Sequence, residues 1–208
     1  MTRFIAFSGK KQVGKDTATA MLVDVLKDRG ISVSVTAFAE SLKRMCIEIL
    51  GLKYEGVYGS NEQKNALTNI LWDNFPETVR MKYATERDPT MGDWFPRCGP
   101  MSSREVLQVM GSDIFRMMID NDVWARAPFN KQWDTDVVIL TDCRFPNEKA
   151  IVEEKDGVVI RLERNTGLHD DHISETALDN AAFGIKYHNN GTLEDLKEFV
   201  ISLANKII

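Results

Sequence analysis

Residues 4 to 26 read FIAFSGKKQVGKDTATAMLVDVL. Gly9 and Gly14 stand as G-x-x-x-x-G, and Lys15 follows directly. At this spacing backbone N–H groups converge on an anion at a helix N-terminus, and the lysine reaches the same anion. Asp16 sits where the pattern normally carries Ser or Thr. A carboxylate is also a hard oxygen ligand for Mg2+, direct or through water, and Thr17 adds a hydroxyl beside it. The alternative is a plain glycine turn with exposed lysines. The context favours phosphate, because an apolar strand precedes the loop and a helical pattern follows it.

A second group lies in VVILTDCRFPNE, where Asp142 and Arg144 fall just past an apolar strand. Ligands of open α/β sheets sit beyond the carboxyl ends of the strands. Asp142 is suited to orient Mg2+ or a substrate hydroxyl, and Arg144 to grip phosphate with a two-pronged fork. A local Asp–Arg pair is the competing reading. Lys43, in FAESLK, points either at the same crevice or into solvent. Arg104, Gly111, Ser112 and Trp124 occupy the next block. Glycine inside a helix costs about 1 kcal/mol against alanine, so Gly111 needs a reason, such as close approach of a ligand. Trp124 either stacks on a base or fills core, and periodicity favours core. Arg161 and Arg164 are expected to act as lid arginines. His169, Asp170, Asp171 and His172 have metal-ligand types but read better as a solvated loop than as a metal site.

These residues need a scaffold. RFIAFSG, ISVSVTAFA, DVVILTDCR and GVVIRLERN read as buried strands, and GIKYHNNG as a weaker one. Helices are expected in DTATAMLVDVLKDRG and ESLKRMCIEILG, stopped by Gly30 and Gly51. SSREVLQVMGSDIFRMMI reads as one helix capped by Ser102 or Ser103, with Val106, Val109 and Met110 on its buried face. NEKAIVEEKD and TLEDLKEFVISLANKII complete the set, the latter capped by Thr192. Alternating strands and helices predict an α/β fold: a mostly parallel sheet with helices on both faces. Residues 52–103 break the rhythm and read as an inserted, partly helical segment of a single domain over 1–208.

The chain has 208 residues, 43% hydrophobic and 27% charged, with a net charge of −5. That excludes disorder and coiled coil, and it argues against a DNA-binding module, which carries a basic surplus. Cys46, Cys98 and Cys143 show no C-x-x-C spacing, so neither zinc nor a disulfide frame is indicated, and buried thiols in a reducing compartment are expected. No run of 18 apolar residues and no signal-peptide pattern appears, which points to the cytoplasm.

In chain order, SGKKQVGKDT, FAESLK, LQVMGSDIF with DVWARAPF, VVILTDCRFPNE, VIRLERN, HISE and HNNGTLEDL resemble the bacteriophage deoxynucleoside monophosphate kinases. The resemblance runs from about residue 3 to 200 and is weakest across 52–100. The G-K-D-T form of the loop is typical of that family, so Asp16 supports the resemblance. It implies a P-loop NTPase fold with an inserted substrate-binding segment and a lid over about 164–177. The implied reaction is transfer of the ATP γ-phosphate to a dNMP with Mg2+. Lys11, Gly14, Lys15, Asp16 and Thr17 would hold the ATP phosphates and metal. Asn189, Asn190 and Gly191 would lie near adenine. Lys43, Arg104, Gly111, Ser112, Trp124, Asp142, Arg144 and Glu148 would face the deoxynucleotide. Lys15, Arg144 and Arg164 would neutralise the transferring group. Arg80, Arg87 and Arg97 are further candidates from the inserted segment. A homodimer is the family's expectation, with host cytoplasm as the location if the chain is phage-encoded. The competing readings are a kinase of another small metabolite, of the dephospho-coenzyme A or phosphomevalonate type, and a non-catalytic nucleotide-binding regulator.

Overall fold

The computed structural model describes residues 2–87, 89–90, 92–165 and 173–208, with side chains described from Glu175 in the last stretch. In chain order the elements are β1 (Arg3–Ser8), α1 (Lys15–Asp28), β2 (Val33–Thr36), α2 (Glu40–Glu48), α3 (Tyr54–Tyr58), α4 (Asn61–Asn65), β3 (Leu67–Leu71), α5 (Glu77–Lys82) and β4 (Pro100–Ser102). They continue with α6 (Ser103–Gln108), a π-helical stretch (Val109–Ile119), α7 (Val123–Arg126), β5 (Val137–Cys143), α8 (Pro146–Glu154), β6 (Val158–Glu163), α9 (Ile173–Thr176), β7 (Ile185–His188) and α10 (Leu193–Ile207). The chain divides into two compact units, one made of Met1–Ala39 with Ala125–Ile208, the other of Glu40–Trp124. The second unit therefore starts earlier and ends later than the insert expected over 52–103. Among the described residues no helix is long and apolar enough to cross a membrane.

The first unit is built on a five-stranded sheet of order β2-β5-β1-β6-β7, parallel throughout. Strand side chains alternate between faces, and both faces are covered. Ile5 and Phe7 of β1 join a core with Ala18, Leu22 and Leu26 of α1 and Leu196, Val200 and Leu203 of α10. Ala6, between them, joins the opposite core with Leu140, Val152 of α8, Val159 and Leu178. α1 buries Ala18, Thr19, Leu22 and Leu26, and Gly30 follows the helix end with φ 75°. Thr192 caps α10 in a reciprocal capping box with Asp195.

The second unit packs around Trp72, Met101, Val106 and Val109, with Cys46, Leu52, Val57 and Val79. It holds an antiparallel pair, β3 with β4, that the sequence did not announce. Leu67 and Leu71 of β3 are exposed, while Thr68 and Ile70 between them are half-buried and Ile70 packs on this core. Ser102 caps α6 in a capping box with Glu105, as its sequence position predicts. The single helix expected over 102–119 instead changes from α to π at Val109. The indole N–H of Trp124 donates to the Gly111 carbonyl at 2.9 Å, which competes for an oxygen that an α-helix uses internally. Cys46 and Cys143 are buried as expected, whereas Cys98 is exposed.

Candidate functional site

The carboxyl edge of the sheet gathers the loop after β1, the turn after β5, and the ends of β6 and β7. Ser8 pairs with Cys143, the last residue of β5, on one side and with Arg161, within β6, on the other. From Ser8 the chain turns through Gly9–Gly14 and enters α1 at Lys15. Gly14 has φ 96°, and a Cβ there would meet Asn189 Nδ2 at 2.5 Å. Only glycine fits both that backbone and that neighbour. Asn189 is 5% exposed. Its backbone N–H donates to Glu163 O at 2.7 Å, and its amide nitrogen donates to Val13 O at 2.9 Å. It thus ties the end of β7 to the glycine loop, a structural task that the resemblance did not give it. Asn190 is exposed and accepts from the Asn165 N–H at 3.0 Å.

Lys15 donates to the carbonyls of Gly9 and Lys10, each at 2.7 Å. Its pKa is lowered to about 8, first by burial and then by the charge of Arg144, with Arg161 adding to the effect and Asp16 and Asp142 opposing it. Lys15, Asp16, Asp142, Arg144 and Arg161 therefore share one electrostatic neighbourhood. Asp16 and Thr17 are exposed in the first turn of α1. Among the described residues no group of three or more His, Cys, Asp or Glu side chains comes together. Mg2+ is ordinarily held by one or two carboxylates together with phosphate oxygens, so an exposed Asp16 beside a phosphate loop fits that ion.

Other candidates take different places. Asp142 accepts from the N–H groups of Phe38 and Ala39 at 2.7 and 3.4 Å, which fixes the chain leaving β2. Glu148 is 2% exposed and accepts from the N–H groups of Arg144 and Phe145 at 2.8 and 3.1 Å. It shapes the turn that presents Arg144 and does not face a nucleotide. Arg161 is not a lid arginine: it is buried in β6, donating to Ser8 Oγ at 3.2 Å and pairing with Asp179 at 2.9 Å. Arg164 is exposed just beyond β6. Most of the expected lid, with His169 to His172, lies outside the described residues.

Within the second unit, Trp124 is 6% exposed and lies 4.9 Å from the Phe115 ring, so it is core and offers no face to a base. At Gly111 a Cβ would meet Leu42 Cδ2 at 2.7 Å, so the glycine gives α2 a close approach to the π stretch. Asp113 is buried and takes Lys82 and the Tyr83 hydroxyl, the latter at 2.7 Å. Between Gly111 and Asp113, which are buried, Ser112 is exposed. Lys43 lies over the Tyr58 ring at 4.9 Å, and Arg104 donates to Asn61 at 2.9 Å. Arg87 stacks on Trp94 and Arg97 pairs with Glu105, while Arg80 reaches Asp73, so all three have structural work. A cavity of about 330 Å³ opens among Leu52, Gly56, Gln63, Thr68, Asn69 and Ser103. No motif marked it, because its lining residues are drawn from separate elements.

A parallel sheet whose first strand runs through G-x-x-x-x-G-K into a helix, with cations gathered at its carboxyl edge, defines an α/β domain of the P-loop type. The family described as deoxynucleotide monophosphate kinase matches residues 35–200. This chain belongs to that family. A protein of Acanthamoeba polyphaga mimivirus, provisionally named a deoxynucleotide monophosphate kinase, is 29% identical over 97% of this chain and 95% of its own length. The deoxynucleoside-5'-monophosphate kinase of Escherichia phage T5 is 28% identical over 38% of this chain and 35% of its own. Among solved structures, cobyrinic acid a,c-diamide synthase of Mycobacterium smegmatis with bound ADP and magnesium aligns at TM-score 0.38 and 16% identity, over 100% of this chain and 82% of that one. That likeness is too loose to bear on fold or function.

Proposed function

We propose that the chain transfers the γ-phosphate of ATP to a deoxynucleoside monophosphate, giving ADP and a dNDP. The observation that carries this reading is the meeting of Lys15, Arg144 and the glycine loop at the sheet's carboxyl edge, in a chain of this family. ATP phosphates lie in the loop from Lys11 to Thr17, on the backbone N–H groups at the start of α1. Asn190 approaches the adenine. Mg2+, when bound, neutralises charge on the phosphate oxygens, and Asp16 holds it.

Lys15 keeps its positive charge beside the transferring group, and the fork of Arg144 grips the equatorial oxygens. Arg164 adds a further charge from the segment after β6. The acceptor is a phosphate monoester with a second pKa of about 6, already ionised at neutral pH, so no strong general base is needed. Catalysis is then positioning and charge neutralisation. In the second unit Lys43, Arg104 and Ser112 are the residues assigned to the acceptor. Asp142 and Glu148 serve as positioning residues for the strand ends.

The test is ADP release from Mg-ATP with dGMP, dTMP, dCMP, dAMP and GMP offered separately, with Lys15→Ala as the blank. Turnover on at least one deoxynucleotide, absent from the blank, is the expected result. ATP binding without turnover on any of the five would overturn the reading.

A further inference from the structure

We propose that Glu175 is the positioning residue that sets Arg144 against the phosphate loop. This inference rests on the reading that Arg144 grips the transferring phosphoryl group. The Glu175 side chain is 1% exposed. One of its oxygens pairs with the Arg144 guanidinium, and the other accepts the Lys11 backbone N–H at 2.8 Å. A single buried carboxylate therefore joins the turn after β5 to the glycine loop after β1. Glu148, by contrast, accepts the backbone N–H of Arg144.

The surroundings extend the same task. Four residues on, Asp179 pairs with Arg161 and with Lys10, each at 2.9 Å. Leu178, between the two carboxylates, is 2% exposed and packs in the core beside Ala6 and Leu140. The segment from Glu175 to Asp179 is thus anchored by an apolar side chain and holds cations of the loop and of two strand ends. Buried ion pairs contribute little to net stability, because desolvation offsets their attraction. What such a pair supplies here is direction: a fixed guanidinium is ready for a second anion without reorganising.

Glu175→Gln separates positioning from simple packing. The glutamine carbonyl still accepts the Lys11 N–H and fills the same volume, while its amide offers Arg144 no anion. The experiment measures kcat, KM and Mg-ATP affinity by calorimetry for wild type, Glu175→Gln, Arg144→Ala and the double variant, with Tm for each. The expected outcome is a kcat loss of ~10–100-fold in Glu175→Gln. In the Arg144→Ala background the same change should cost no more than about twofold, because its target is gone. Glu175→Asp, which keeps the charge, should recover part of the loss.

Losses that multiply in the double variant, or a Glu175→Gln protein whose kcat stays within about twofold of wild type, would overturn the proposal. Should wild type turn over no deoxynucleotide, the kinase reading fails by itself. The Mg-ATP dissociation constants of the four proteins then decide the inference: non-additive losses support it and additive ones sink it.

Discussion

Lys15 sits at the balance of two demands. Burial and Arg144 bring its pKa to about 8, yet its charge is what a phosphate needs. Phosphate binding favours the protonated form, so affinity is full below about 8 and falls as the pH rises through that value. Mg-ATP titrated by calorimetry from pH 7 to 10 should show this loss. Arg144→Ala removes the second cause of the shift, so its alkaline limb should begin at higher pH. An unmoved limb would mean that the two side chains do not share a field. The loop, Lys15 and Arg144 were legible from type and spacing alone. Glu148, Asp142 and Asn189 were singled out too, but as ligand-facing groups. Asp142 and Asn189 take backbone partners distant in sequence, which no local pattern encodes, while Glu148 holds the N–H groups of Arg144 and Phe145 within its own turn.

The helix around Gly111 shows where elements escape a periodic reading. Apolar spacing located it, and Ser102 with Glu105 marked its start. The change to π winding depends on Trp124 reaching the Gly111 carbonyl, thirteen residues along the chain. Gly111→Ala puts a Cβ 2.7 Å from Leu42, so overpacking should cost about 1–3 kcal/mol and lower Tm. Leu42→Ala in the same protein removes the clash. If Gly111→Ala is destabilising and Leu42→Ala restores part of the loss, the glycine is there for packing between α2 and the π stretch. Equal destabilisation in both backgrounds would return the argument to a backbone or ligand requirement. β3 and β4 were illegible for a related reason: β3 places Leu67 and Leu71 on its exposed face, and β4 is only Pro100–Ser102, too short to show an alternation.

At the scale of the molecule, the two units are assigned different ligands, and hydrogen exchange can separate them. Mg-ATP alone should slow exchange in residues 9–17 and around Asn189. A deoxynucleotide alone should slow it within Glu40–Trp124. Protection by the deoxynucleotide confined to the first unit would remove Lys43, Arg104 and Ser112 from the acceptor site. Saturating Mg-ATP at about 100 times its Kd should also add ~2.7 kcal/mol to the stability of whatever unfolds with the loop. The alternation of strands and helices made the α/β class readable. The boundaries of the second unit were not, because no linker composition marks Glu40 or Trp124.

The sheet is assembled from two stretches of chain with the whole second unit between them. β5 is neighbour to both β1 and β2. A growing chain leaving the ribosome therefore exposes β1 and β2 long before their shared partner is made. The stretch Glu40–Trp124 is continuous and has all its own contacts as soon as it emerges. Domains fold as units during synthesis. The later-coded half of the sheet thus makes the phosphate loop among the last parts to gain its shape. A nascent chain halted before Val137 should hold a folded Glu40–Trp124 and a loop that binds no nucleotide.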